Sequence, residues 1–240
     1  MGSAAATGGY RRGMPRDTLT KEQIIRTAIE LLDEEGLEGL NMRSLGKRLD
    51  SAATAVYWHV KNKDDLVQLV GDEVWNEIEL ADPDAVGWRA AAASLATGLR
   101  AMLTRHPWLV QAFGSHLFYG PAKARYDDHC LAVYEGAGFT QAQADQAAAS
   151  VFTFVLGNVL GHSATASVTR RLSRDGGDAQ ERLADFMAKA GDVAGRFPRL
   201  RSRLETPAAQ FGSAPEDTFD YGLRTLLDGF ENQLAAARPA

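Results

Sequence analysis

The sequence predicts an all-α protein, and three observations carry that prediction. Apolar residues recur at three- and four-residue intervals in segment after segment, the period of a helix with one buried face. Helix-start signals with capping-box spacing precede several of these segments: Thr20 with Gln23, Thr140 with Gln143, and Ser213 with Glu216. No β-alternation, internal repeat or heptad run competes with them.

Residues 1–18, rich in Gly, Ala and Arg, have no hydrophobic periodicity and read as a flexible arm. Behind the Thr20 cap, Ile25, Ile29 and Leu32 define a first helix that Gly36 can stop. Asn41 can cap a second, short helix with Met42, Leu45 and Leu49 inward and Arg43, Lys47 and Arg48 on its other faces. After a break at Asp50 and Ser51, a third helix over 53–59 is anchored by Val56. Asn62 and Asp65 can cap a fourth, striped by Leu66, Val70 and Val74. Two short helices joined by a tight turn and braced by a first are the helix-turn-helix arrangement, whose later helix enters the DNA major groove.

Beyond Pro83 a long helix carries Trp88, Ala92, Leu95, Leu99 and Met102 and ends before Pro107. A short segment runs from Trp108 to Gly114, and Pro121 opens a helix that Gly136 and Gly138 close. The Thr140 cap opens a long helix reaching about Arg170, with Val151, Phe152, Val155 and Val159. A polar connector over 173–178 leads to a helix over 179–196, and the last helix carries Phe219, Leu223, Leu226, Phe230 and Leu234.

Composition narrows the function classes. At 240 residues and 45% hydrophobic content the chain can build a sizeable core. Its single cysteine, Cys130, excludes an internal disulfide and a multi-cysteine metal site and reads as a small apolar packing residue. No stretch approaches a membrane span and no signal-peptide run is present, which points to the cytoplasm and no membrane partner. The net charge of −5 is unevenly spread: residues 1–63 hold ten Lys/Arg against eight Asp/Glu, a net +2, which leaves −7 for the rest. Residues 40–63 hold five basic residues and only Asp50 against them, a local excess that can meet phosphates.

The string Leu40-Asn41-Met42-Arg43-Ser44-Leu45-Gly46-Lys47-Arg48-Leu49, followed by Val56-Tyr57-Trp58-His59-Val60-Lys61-Asn62-Lys63, resembles the DNA-binding domain of the tetracycline repressor (TetR) family. The resemblance continues more loosely through His106-Pro107-Trp108 and Phe154-Val155-Leu156-Gly157 to the final helix. It implies a helix-turn-helix DNA-binding domain over 19–63, and a connector helix plus ligand-binding and dimerisation domain over 64–240. It further implies a homodimer that represses transcription at a double-stranded, palindromic operator and leaves it when a small-molecule effector binds.

Carried over to this chain, the resemblance aims Arg43 at a base edge, where a guanidinium pairs with guanine. It places Ala53, Thr54 and Ala55 at the start of the recognition helix, sends Tyr57 and His59 to phosphates or bases, and gives Lys63 a phosphate. Trp58 either lies along the sugar-phosphate backbone or fills the core. The small residues at 53–55 depart from the larger polar residue and proline of tetracycline repressors, so their operator does not transfer. Asp50 stands where the family places a turn glycine, and Asp tolerates left-handed geometry.

The C-terminal part is rich in aromatic and histidine side chains, including Trp88, His116, Phe118, Phe186 and Met187. From these and their neighbours the expected ligand contacts are His106, Trp108, Phe113, Phe152, Asn158 and His162. His106 matches the imidazole that tetracycline repressors bring to magnesium, but Gly161 falls where their carboxylate is expected. The expected effector is therefore a largely apolar molecule and not a magnesium-tetracycline complex. Val151, Val155, Val159, Phe219, Leu223, Leu226 and Phe230 are the expected dimer interface. No cofactor, catalytic residue or metal site is expected, because no His-Glu-x-x-His helix, nucleophile elbow or phosphate-binding glycine loop is present. A helical small-molecule-modifying enzyme and an unregulated architectural DNA binder are the alternatives.

Overall fold

The computed structural model describes residues 19–51, 53–174, 179–204 and 218–237, and among them the regular elements are helices. The flexible-arm expectation and the Ser213–Glu216 capping signal lie outside the described residues. The first helix, α1 (Lys21–Gly39), starts with the full capping box: Thr20 Oγ1 accepts from Gln23 N, and Gln23 Oε1 accepts from Thr20 N at 2.8 Å. Gly36 takes φ 71° inside it, so the helix breaks there and resumes for one turn instead of stopping.

Helices α2 (Met42–Arg48) and α3 (Ala53–Tyr57) follow, then α4 (Lys63–Glu73), which continues as a 3-10 turn over Val74–Glu77. A short α5 (Pro83–Val86) leads into α6 (Trp88–Arg105), and Pro107 restarts the chain as α7 (Pro107–Ala112). The remaining helices are α8 (Pro121–Gly136), α9 (Gln141–Arg174), α10 (Ala179–Ala194), α11 (Pro198–Arg201) and α12 (Thr218–Ala237). The Thr140 and Gln143 side chains form the capping interactions expected at the start of α9.

Helix α9 is the axis of the larger body, with α6, α7, α8, α10 and α12 packed against it. Its 141–170 portion is, by length and composition, apolar enough to cross a membrane, which corrects the expectation that no stretch approaches a span. Several helices pack against it and bury one side, while Thr153, Gly157, Leu160 and Ala164 stay exposed along another. Val151, Val155 and Val159 are accordingly buried in the protomer's own core. So are Phe219, Leu223 and Phe230 on α12, while Leu226 is half-buried. Six of the seven expected dimer residues, all but Leu226, are therefore buried within the protomer and offer little surface to a partner, a correction to the sequence reading. An apolar stripe satisfies its own core first, and the sequence does not say which stripe is left over. Gly222 lets α12 lie close to α9, since a Cβ there would collide with the Phe154 ring, which stacks on Phe219 at 5.7 Å.

Candidate functional site

Two surfaces concentrate the chemistry. The first is the α2–α3 face. Asn41 caps α2 by accepting from Ser44 N at 2.8 Å, and Leu45 is fully buried. Asp50 adopts φ 46° in the turn, and Ser51 N donates to Gly46 O at 2.9 Å to close it. Val56 anchors α3 in the core, leaving Thr54, Tyr57, Trp58 and His59 exposed beside the exposed Arg43 and Lys47 of α2. Ala53 begins α3 and Ala55 is half-buried behind Thr54. Trp58 is 87% exposed, which removes the core alternative for this indole. A large apolar ring left in water next to basic side chains suits a surface that is covered when the partner binds.

Two basic residues here are already engaged. Arg48 pairs with Glu34 and Glu35 of α1. Lys63 donates from Nζ to Leu37 O at 2.6 Å, tying the start of α4 to the end of α1. Its ammonium keeps two further donors for a phosphate.

The second surface is a cavity of about 470 Å³ bounded by α6, α8, α9 and the 113–118 segment. Ala92 and Leu95 come from α6, Tyr126, Cys130 and Tyr134 from α8, and Asp145, Ala148, Val151 and Phe152 from α9. Phe113 meets Phe118 and Phe152 edge to face at 5.3 and 5.8 Å, and His116, Leu117 and Phe118 form the roof. Burial pushes the Cys130 thiol up to about 11, so it remains a protonated, unreactive part of the wall.

Of the expected ligand contacts, Phe113 and Phe152 line this cavity and His106, Trp108 and Asn158 do not. The His162 side chain lies outside the described residues. His106 is 2% exposed at the junction of α6 and α7, with Nδ1 2.7 Å from Asp33 Oδ1 and Nε2 3.0 Å from Glu77 Oε1. Both nitrogens face carboxylates, an arrangement that favours the protonated ring, which as an imidazolium donates to both. Burial opposes that charge, but the hydrogen bonds and attraction of Asp33 and then Glu77 outweigh it, and the His106 pKa is raised. Trp108 Nε1 donates to the same Asp33 oxygen at 2.8 Å, and Arg105 pairs with Glu77. His106 and Trp108 thus join α1, the end of α4 and the α6–α7 corner. That corrects the expectation that they meet the ligand: their polar atoms are taken by carboxylates distant in sequence.

The cavity roof rests on α4. Gln68 Nε2 donates to Leu117 O, and His116 Nε2 lies 3.6 Å from Asp64 Oδ1. A Cβ at Gly71 would collide with the Phe118 ring, so glycine is what lets roof and helix touch. Asp72 accepts from Lys123 N at 2.9 Å and Ala122 N at 3.3 Å, capping α8 from another helix. The α8 wall escaped the sequence reading, although Tyr126, Cys130 and Tyr134 recur every fourth residue and could have signalled it.

An exposed, basic helix pair is thus joined through α4 to a roofed cavity, and comparison with known proteins gives the chain a family. The profile described as "Bacterial regulatory proteins, tetR family" matches residues 24–70, and that described as "Tetracyclin repressor-like, C-terminal domain" matches 80–234. The chain belongs to the TetR family. Among its TetR relatives, the HTH-type transcriptional repressor DrrR1 of Streptomyces coeruleorubidus is 30% identical over 226 residues, 93% of this chain and 82% of the relative. The class C tetracycline repressor protein of Escherichia coli is 30% identical over 220 residues, 89% of this chain and 91% of the relative. Among solved TetR structures, apo ActR from Streptomyces coelicolor superposes with a TM-score of 0.71 at 25% identity, covering 92% of this chain and 99% of that one. ActR in complex with actinorhodin gives 0.71 at 25% identity, covering 90% and 97%. The matched models are those of bacterial regulatory proteins, and this chain is a DNA-binding transcriptional regulator of the TetR family.

Proposed function

We propose that the chain dimerises and binds a near-palindromic duplex through α2 and α3, and that a small, largely apolar molecule entering the α6–α8–α9 cavity releases it. The observation that carries this reading is the rest of the cavity roof on α4. A molecule that displaces Phe118 or Leu117 changes the seat of α4, and α4 leads directly from the helix-turn-helix. Two recognition helices then lose the spacing that lets both dock together. We place the protein in the cytoplasm, where a bacterial regulator meets its operator, and assign it no catalytic step.

Selection from a random duplex pool, followed by thermal screening of small molecules, tests the proposal. The expected result is a near-palindrome whose complex is broken by compounds that also stabilise the free protein. Failure to select any duplex, or turnover of a compound without affinity for DNA, would sink it. Within the selected site, Arg43→Ala is expected to cost about 1–3 kcal/mol and to relax preference at one base pair per half-site. Wild-type binding by this variant across salt concentrations would remove Arg43 from the base-reading set.

The dimer surface is assigned to the outer stripe of α9 with α12. Thr153, Gly157, Leu160 and Ala164 are exposed along one line of α9, and Leu160 is 57% exposed. A Cβ at Gly157 or Gly229 would meet open space, as a surface awaiting a close partner helix would show. Leu160→Asp is expected to shift sedimentation toward monomer while the helical signal is kept. Leu223→Asp, facing the core, is expected to unfold the protomer instead. A concentration-independent dimer for Leu160→Asp would reject this surface.

A further inference from the structure

We propose that the effector is a planar aromatic cation, its positive nitrogen held by the carboxylate of Asp145. The inference rests on the reading of the cavity as the effector site and adds the charge of the molecule it takes. Phe113, Phe152, Tyr126 and Tyr134 give the cavity aromatic walls, whose negative ring faces attract cations as well as apolar surface. The small side chains of Ala148 and Ala149 line the same wall as Phe152 and leave room for a flat ring system.

The acidic and basic side chains around this cavity do not balance. Lys123 lies 2.5 Å from Asp127 Oδ2, with its ammonium also 5.1 Å from the Trp75 ring centroid, so its charge is answered from within the fold. His116 accepts or donates at 2.9 Å to Ser115 Oγ and faces Asp64 on its other nitrogen. Asp145 alone among the acidic and basic lining groups makes no hydrogen bond or ion pair with the described residues. It is exposed, on the first turns of α9, where the cavity meets solvent.

Being exposed, this carboxylate is open to solvent. A molecule that fills the cavity to its mouth lies against this carboxylate, which must then find a charge or lose part of its hydration unrewarded. A cation meets that demand, a neutral molecule leaves it unmet, and an anion adds repulsion. The cavity volume of about 470 Å³ accommodates a compound of several fused rings. The −7 balance of residues 64–240 draws cations toward the same body.

Three probes of one shape separate the charges: aminomethylanthracene, a cation at neutral pH, hydroxymethylanthracene, and anthracene carboxylate. Fluorescence titration of the full chain is expected to rank them cation, neutral, anion, with about tenfold between the first two. Asp145→Asn is expected to bring the cation down to the affinity of the neutral probe. Ala148→Trp, which fills the cavity, is expected to abolish binding of all three. A neutral or anionic probe binding as tightly as the cation overturns the charge assignment and leaves the cavity reading in place. So does an equal effect of Asp145→Asn on every probe. Binding that survives Ala148→Trp, or no binding of any probe by wild type, overturns the cavity reading and this inference with it.

Discussion

His106→Ala is expected to lower the melting temperature by about 6–12 °C at mildly acidic pH. The substitution removes an imidazolium from between Asp33 and Glu77 and leaves both carboxylates facing a vacated, largely dry site. Removing one partner of a buried ionic pair costs about 3–5 kcal/mol. The carboxylates remain 30% and 32% exposed, so the lower end, about 3 kcal/mol, applies here, and each kcal/mol moves the midpoint of a chain this size by about 2–4 °C. The pH dependence follows from the raised pKa of His106. A histidine whose folded pKa lies above its unfolded value stabilises fully below the unfolded value, about 6.5, and loses that contribution as pH rises through the folded value. The difference between wild type and His106→Ala should therefore be largest near pH 6 and shrink as pH is raised through the folded pKa. Calorimetric scans of both proteins across that range check it, and a gap that widens with pH would show that His106 is neutral in the fold.

Cutting the polar ties between α4 and the cavity roof is expected to separate effector binding from operator release. Gln68→Ala removes the donor to Leu117 O, and Asp72→Ala removes the acceptor at the start of α8. Neither side chain lines the cavity, so the double variant should still bind any compound that releases the wild type. Coupling between sites is worth about 1–3 kcal/mol, so the concentration needed for half-release should rise by about 5–150-fold. Loss of the α8 cap should add about 1 kcal/mol of destabilisation, read independently by melting. Paired titrations, one of effector binding and one of DNA release, decide the matter. Release at the wild-type concentration would mean that α4 is moved by contacts other than these.

Local chemistry was legible in the sequence wherever an interaction spans three or four residues. The Thr20, Asn41, Asn62 and Thr140 caps appear where their spacing places them, and the turn at Asp50 takes the left-handed backbone its residue type tolerates. The order of the longer helices was legible for the same reason, because the 3.6-residue period of the apolar stripes is a local property, whereas the four-residue α5 and α11 are too short to show a period. The motif around Tyr57 and Trp58 carried the family. Spacing did not reveal that Trp58 stands in solvent, because an indole at that position packs equally well in either direction.

Tertiary structure alone decided which neighbours each side chain meets. His106 was read as a ligand contact, but its partner Asp33 lies 73 residues earlier and reaches it only when α1 folds against the α6–α7 corner. Lys63 was read as a phosphate contact, and the return of α4 beside α1 gives its nitrogen the Leu37 carbonyl first. The stripe of Val151, Val155 and Val159 was read as a dimer face, and the packing of neighbouring helices around α9 turns it inward and leaves the Gly157–Leu160 line outside. Sequence periodicity determines that a helix has a face to bury and where its ends are capped. The partner that covers the face, and the charge that answers a buried side chain, depend on contacts between residues far apart in the chain, which exist only once the helices have packed.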